Sequence, residues 1–293
     1  MPPPKTCRPN IRGTPLQLST PKLSRSFQTA QRARTRSAST LITVQWTPRG
    51  RSMAEVYDLL ADRLNRMLSS HTSLNGMHAT HEDDASTPCN VQYLIGVAGA
   101  PGSGKSTMTA QVCARVNSLA GKEVAVVVPM DGYHLTRAQL DQMSDPLFAH
   151  SRRGAYWTFD EVGFVDMVQN LRATGSAVVP SFDHTVGDPV PGDIQVSMDT
   201  RIVILEGNYL LLDYHPWGKL KELFDESWFL YCDIDEAMQR VEKRHVETGV
   251  TEENAAVKIR NNDRINGDLV NSTAGRADVL INSITFEAKE TPL

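Results

Sequence analysis

Between Tyr93 and Asn117 the chain reads YLIGVAGAPGSGKSTMTAQVCARVN, and no other stretch constrains the fold as much. A short apolar run (Tyr93, Leu94, Ile95, Val97) passes into a glycine-rich loop, Gly99-Ala100-Pro101-Gly102-Ser103-Gly104-Lys105-Ser106. An amphipathic helical pattern starts at once, with Thr107 in its first turn. Strand, loop and helix carrying G-x-x-x-x-G-K-S form a phosphate-cradling P-loop in the context that such a loop requires. Glycines let backbone N–H groups approach phosphate oxygens without an intervening Cβ. The N-terminus of the following helix aims a partial positive charge at the same anion. Lys105 would reach the β- and γ-phosphates, and the Ser106 hydroxyl would ligate Mg²⁺. The spacing predicts a bound nucleoside triphosphate.

With 293 residues, 40% of them hydrophobic, the chain can bury one substantial core. No apolar run approaches the ~20 residues that span a bilayer, so no transmembrane helix is expected. Four cysteines (Cys7, Cys89, Cys113, Cys232) lie far apart without a C-x-x-C pair, which reads as a reducing compartment and no structural zinc. The net charge of −4 hides an asymmetry. Residues 1–54 contain no Asp or Glu but ten of the 30 Lys and Arg, leaving 20 basic against 34 acidic residues in the body. So acidic a body argues against a nucleic-acid surface, which needs a basic stripe. Oligomeric state is not legible.

Residues 1–52, rich in Pro, Ser, Thr and Arg, read as a disordered basic leader ahead of a single domain over 53–293. SRSFQTAQRARTRSAST has the composition of a mitochondrial transit peptide, and the alternatives are an untargeted tail or a coding start at Met53. The expected location is cytoplasmic, or the mitochondrial matrix if the leader targets. Helical spacing predicts a helix over Met53–Leu68, then a polar surface connection over His71–Asn90. Buried strands are expected at Glu123–Pro129 (EVAVVVP), Ala177–Phe182, Arg201–Leu205 (RIVIL), Ser227–Cys232 and Ala277–Ile281. Between them the pattern predicts helices over Thr136–Met143, Phe159–Arg172, Asp235–His245 and Glu252–Ile265. Loops are expected over Asp145–Thr158 and Gly187–Gly192. This alternation implies an α/β fold with a doubly wound, mostly parallel sheet. Ligands then sit beyond the carboxyl ends of the strands.

Four strand ends would bring polar groups to that rim: the P-loop, Asp131, Asp183 with His184, and Glu206. A metabolite kinase needs a Mg²⁺ site and a carboxylate that takes or orients the acceptor hydroxyl's proton. Glu206 closes the apolar strand RIVILEG, a Walker-B-like position for holding Mg²⁺, and Asp131 is the candidate base. For each, the structural alternative is a turn or helix-cap carboxylate. Arg152 and Arg153 either are solvated charges or bind an anionic group on the acceptor. Arg240 and Arg244 lie on a charged helix and either pair with Glu236, Glu242 and Glu247 or neutralise the transferred phosphoryl. Gly249 and the polar run after it would let this segment hinge as a lid. Trp157, Trp217 and Trp228 read as packing residues.

GAPGSGKST, MDGYHL, RRGAYWTFD, SFDH and ILEGNYLLL, followed by the charged helix, resemble the uridine kinase, phosphoribulokinase and pantothenate kinase group, especially its fungal uridine-kinase-like members. The resemblance covers about Tyr93–Ile281. It implies a P-loop kinase fold with a helical lid, and Mg-ATP-dependent phosphotransfer to an alcohol of a small metabolite: a nucleoside, a pantothenate-like compound or a sugar. It places the base at Asp131, substrate contacts at Tyr133, His134, Arg152, Arg153, Asp183 and His184, and a lid arginine at Arg240 or Arg244. MDGYH and RRGAYWTFD depart from the corresponding uridine kinase segments and match pantothenate kinases at least as closely. Rival readings are a regulatory nucleotide-binding protein without turnover and a nucleoside monophosphate kinase. A regulatory GTPase is opposed by the lack of N-K-x-D and D-x-x-G motifs.

Overall fold

A computed structural model describes residues 44–46, 52–75, 92–183 and 185–283. In chain order the elements are β1 (Val44–Trp46), α1 (Met53–Asn75), β2 (Tyr93–Ala98), α2 (Lys105–Ala120), β3 (Ala125–Pro129), α3 (Arg137–Leu140), α4 (Pro146–Ser151) and α5 (Glu161–Thr174). There follow β4 (Ala177–Asp183), β5 (Asp188–Val196), β6 (Ile202–Gly207), α6 (Leu220–Leu223), β7 (Glu226–Tyr231), α7 (Ile234–Glu247), α8 (Glu252–Lys258), α9 (Arg264–Asn271) and β8 (Val279–Asn282). Six strands form a parallel sheet in the order β1-β8-β7-β2-β6-β3. The chain leaves β2 through α2 to reach β3, and β6 later fills the gap between them. It then crosses β2 to reach β7 on the other side, which makes the sheet doubly wound as expected.

Strand composition explains why both faces are covered. Ile202 and Ile204 bury into one apolar cluster with Leu60, Leu64, Met108 and Val112 of α1 and α2. Their neighbours Val203 and Leu205 bury into the other cluster, with Phe164, Val168 and Leu171 of α5. Alternate side chains of a strand face opposite sides, so a continuous apolar run demands a layer of helices on each. Full burial of one such side chain, Phe164 for example, contributes roughly 2–3 kcal/mol. Asp160 starts α5 by accepting a hydrogen bond from the Gly163 amide at 2.9 Å, filling one of the donors that a helix start leaves open. None of the described helices is long and apolar enough to cross a membrane.

The sheet differs from expectation in one respect. β4 is not a member; it pairs antiparallel with β5 in a separate hairpin. Residues 187–192, expected as a loop, lie almost wholly within β5 despite Pro189, Pro191 and Gly192. Proline removes a ladder donor, which an edge strand tolerates. Only Val179 of β4 is buried, whereas a strand inside the parallel sheet would be covered on both faces. Smaller differences follow. α4 and a 3₁₀ turn at Tyr156–Thr158 occupy the expected Asp145–Thr158 loop, and α1 runs on to Asn75. The Glu252 helix continues to Asn271 through a π turn at Ile259–Asp263. Val44–Trp46, inside the expected leader, pairs with Val279–Ile281; the rest of residues 1–51 lies outside the described residues.

Candidate active site

β2 delivers the P-loop between β6 and β7, and α2 begins at Lys105. Lys105 is half-buried, while Ser106 and Thr107 are exposed at the mouth. The back of the loop is closely packed. A Cβ on Gly102, whose φ is +80°, would come within 2.2 Å of the Ala237 carbonyl oxygen on α7. Arg240 of the same helix pairs with Glu236 and donates to the carbonyls of Gly102 and Ser103 and to the Ser283 hydroxyl. Its guanidinium therefore braces the loop from behind. Arg244, one turn further, is exposed and makes no ion pair among the described residues.

Glu206, near the end of β6, stands in register between Val97 of the P-loop strand and Pro129 of β3. It is 5% exposed. Its Oε1 accepts a 3.0 Å hydrogen bond from the Ser106 hydroxyl, and its buried Oε2 has no partner among the described residues. Burial raises its pKa above the usual carboxylate value; the Lys105 ammonium opposes the rise, the Asp131 carboxylate adds to it, and the Ser106 hydrogen bond opposes it. These couplings put Lys105, Ser106, Asp131 and Glu206 in one electrostatic neighbourhood.

A 3₁₀ turn at Met130–Tyr133 presents Asp131 half-exposed, with Met130 and Gly132 buried on either side. Gly132 is required by contact, since a Cβ there would meet the Pro180 carbonyl oxygen of β4 at 2.0 Å. In this way the hairpin packs against the turn that carries Asp131. His134 Nδ1 lies 2.9 Å from the Asp131 carbonyl oxygen, and its ring packs against Phe159 and Phe182. Tyr133 stands edge-on to Phe164, and burial, with the Asp160 charge, pushes its pKa up to about 12. Asp183 Oδ1 accepts from the amides of Thr185 and Val186, closing the hairpin turn. It reaches this place at the end of β4, not on the sheet rim. His184 lies outside the described residues.

The adjacent arginines have different surroundings. Arg153 pairs with Asp188 at 2.8 Å and donates to the carbonyls of Leu135 and Gly187. Arg152 instead meets the side-chain oxygens of Asn262, at 3.2 Å from Nε, and Asn266, at 3.1 Å from Nη2. Asn262, Asn266, Asp263 and Tyr209 were not singled out from sequence. The usable signal was NNDRIN, which puts two amides four residues apart on one face of a helix. The Tyr209 hydroxyl donates to the Gly154 carbonyl at 2.6 Å, and burial pushes its pKa far up, with the charges of Arg152, Asp263, Asp131 and the Tyr156 hydroxyl also acting on it. Asp263 lies 2.9 Å from His245 Nε2. Trp217 and Trp228 are fully buried, and Trp157 stacks on Phe148.

A cavity of about 470 Å³ lined by Leu68, Lys122, Val124 and Arg201 lies where β3 and β6 begin, at the other end of the strands from the P-loop.

Ser106 and Glu206 fit a Mg²⁺ site. Mg²⁺ takes oxygen ligands, commonly one or two carboxylates together with nucleotide phosphates and water. A hydroxyl at the mouth beside a buried carboxylate oxygen lacking a partner supplies that donor type. Among the described residues no group of three or more His, Cys, Asp and Glu forms a self-sufficient metal cage.

The profile of the Phosphoribulokinase / Uridine kinase family matches residues 94–288. A provisionally named uridine kinase of Schizosaccharomyces pombe is 39% identical over 204 residues, 68% of this chain and 87% of that one. The ATP-dependent kinase YFH7 of Kluyveromyces lactis is 34% identical over 195 residues, 53% of this chain and 55% of that one, so the match spans little more than half of that relative. Among solved structures, a provisionally assigned fructose transport system kinase from Silicibacter sp. TM1040 superposes with a TM-score of 0.62 at 28% identity, covering 78% of this chain and 98% of that one.

Proposed function

The chain belongs to the Phosphoribulokinase / Uridine kinase family, and from that premise we propose that it transfers the γ-phosphate of ATP to a hydroxyl of a small metabolite. The coarser statement, a P-loop ATP-dependent kinase, follows from the family itself. The finer reading is supported above all by the coupling of Lys105, Ser106, Asp131 and Glu206 around one strand-end crevice.

In this reading the backbone N–H groups of the Gly99–Ser106 loop, which Pro101 lacks, hold the triphosphate, with Thr107 in the first turn of α2 beside them. Lys105 reaches the β- and γ-phosphates and stabilises charge that develops as the γ-phosphoryl moves. Ser106 and Glu206 would hold Mg²⁺, which when bound neutralises charge on the phosphate oxygens. Asp131 orients the acceptor hydroxyl and takes its proton as the new O–P bond forms. Tyr133 and His134, packed among Phe159, Phe164 and Phe182, form the wall of the acceptor pocket, and Asp183 shapes the hairpin beside it. Arg240 keeps the loop in its phosphate-ready shape, and the exposed Arg244, one turn further along α7, would neutralise charge on the transferred phosphoryl when the lid closes.

An ADP-release screen of the purified chain against nucleosides, pantothenate, sugars, sugar phosphates and glycerate tests this. Asp131→Asn should lower kcat on the best acceptor by about 10²–10⁴-fold while leaving the KM for ATP nearly unchanged. Unchanged turnover in that variant would remove the base assignment, and no acceptor-dependent ADP release would remove the finer reading.

A further inference from the structure

The two arginines of RRG divide their roles. Arg153 is neutralised by Asp188 and donates through Nη1 and Nη2 to two carbonyls, while its buried Nε has no hydrogen-bond partner among the described residues. Arg152 is half-buried, and among the described residues no carboxylate lies within ion-pair distance of it. Its partners are neutral amides. Asn262 and Asn266 are 7% and 4% exposed, and they are bonded to each other at 3.0 Å. Asn262 also donates to the Arg153 carbonyl, so its orientation is fixed. Asp263, the nearest acid in sequence to these amides, is turned to His245. The result is a preorganised guanidinium with no direct ion pair among the described residues. With Nε–H and one Nη2–H engaged, both Nη1 hydrogens and the second Nη2 hydrogen are left for a forked acceptor. A cation held this way is destabilised by its loss of water, and an incoming anion relieves that cost. Its position is informative too, because the Tyr209 hydroxyl, which donates to the carbonyl of Gly154 two residues beyond Arg152, feels the charges of Arg152, Asp263 and Asp131 together. Asn262 sits in the π turn, a distortion often found at functional sites.

We infer that Arg152 is an anion-binding residue of the acceptor pocket, so that the phosphoryl acceptor carries a carboxylate or phosphate in addition to its reacting hydroxyl; this rests on the kinase reading above. Arg153 instead holds the neighbouring segments together.

The test uses the full chain loaded with Mg²⁺ and a non-hydrolysable ATP analogue, so that the P-loop is filled. Inorganic phosphate and acetate are titrated separately into the wild type, Arg152→Gln and Arg152→Lys by calorimetry. One of the two anions should bind the wild type saturably, and Arg152→Gln should weaken that binding about 10- to 100-fold. Arg152→Lys, which keeps the charge, should retain part of it and so distinguish loss of the subsite from a folding defect. Which anion binds separates a carboxylate acceptor from a phosphorylated one. In parallel, ADP release is read on matched pairs: glycerate and glycerol, pantothenate and panthenol, fructose 6-phosphate and fructose, uridine monophosphate and uridine. The anionic member should be preferred, with Arg152→Gln raising its KM far more than it lowers kcat. Failure of both anions to bind, equal binding by wild type and Arg152→Gln, or turnover of neutral members alone would overturn the inference. The titration needs no turnover, so a chain that binds phosphate through Arg152 yet releases no ADP would count against the kinase reading and not against the subsite.

Discussion

Arg153→Ala separates a structural arginine from a ligand-binding one. The side chain is 17% exposed and its partner Asp188 28%. It donates to Leu135, just beyond the Asp131 turn, and to Gly187 and Asp188, at the turn and start of the β4–β5 hairpin. Truncation removes three hydrogen bonds at once. At a net value of about 1 kcal/mol each, the loss comes to about 3 kcal/mol. Partial exposure lets water reach the vacated oxygens and keeps the figure from rising further. For a domain of this size each kcal/mol moves Tm by about 2–4 °C, so the melting point should fall by roughly 6–12 °C. Urea denaturation of Arg153→Ala, Asp188→Asn and the double variant would show the pair coupling directly, at about 1 kcal/mol. A melt within about 1 °C of wild type, together with a large rise in acceptor KM, would refute this reasoning and restore Arg153 as an anion ligand.

Glu206→Gln should abolish the Mg²⁺-dependent part of the thermal shift given by ATP and lower kcat by at least about 100-fold, as melts with Mg²⁺ or EDTA and ADP-release assays would show. Because the folded carboxyl titrates above the unfolded one, the folded chain keeps a proton that the unfolded chain has released. Glu206 therefore makes the metal-free chain lose stability as pH rises from about 4.5 through its folded pKa, and denaturation across that window should show a shallower decline in the glutamine variant. Tyr209→Phe leaves the Gly154 carbonyl without its 2.6 Å donor and should cost about 1–3 kcal/mol in urea unfolding, with the acceptor KM rising and the ATP KM unaffected.

Much of the candidate site was readable because it is local. The P-loop, Asp131 after β3 and Glu206 at the end of β6 each lie within a few residues of the strand that carries them, and strand order then brings the ends together. The β4–β5 hairpin was not readable. AVVPSFD has the composition of a buried strand, and only its actual neighbours show that Val178 faces solvent and Val179 the core. Pro189 and Pro191 looked like loop residues because the sequence does not reveal that β5 is an edge. The arginines were ambiguous for a related reason. Arg152 and Arg153 are adjacent in the chain, yet their partners lie 110 and 35 residues away, and it is those partners that decide which charge is cancelled.

The contact between Gly102 and Ala237 means that this glycine answers to two masters. A phosphate on the front of the loop wants no side chain there, and the helix behind forbids one independently of any nucleotide. Alanine at 102 would dislodge α7 even in the empty protein, so its damage would be visible in the melt before any substrate was added. The candidate phosphate loop and the first turns of α7 are thus packed as one unit, and the demand for glycine falls on residue 102 alone because its neighbour is a backbone carbonyl.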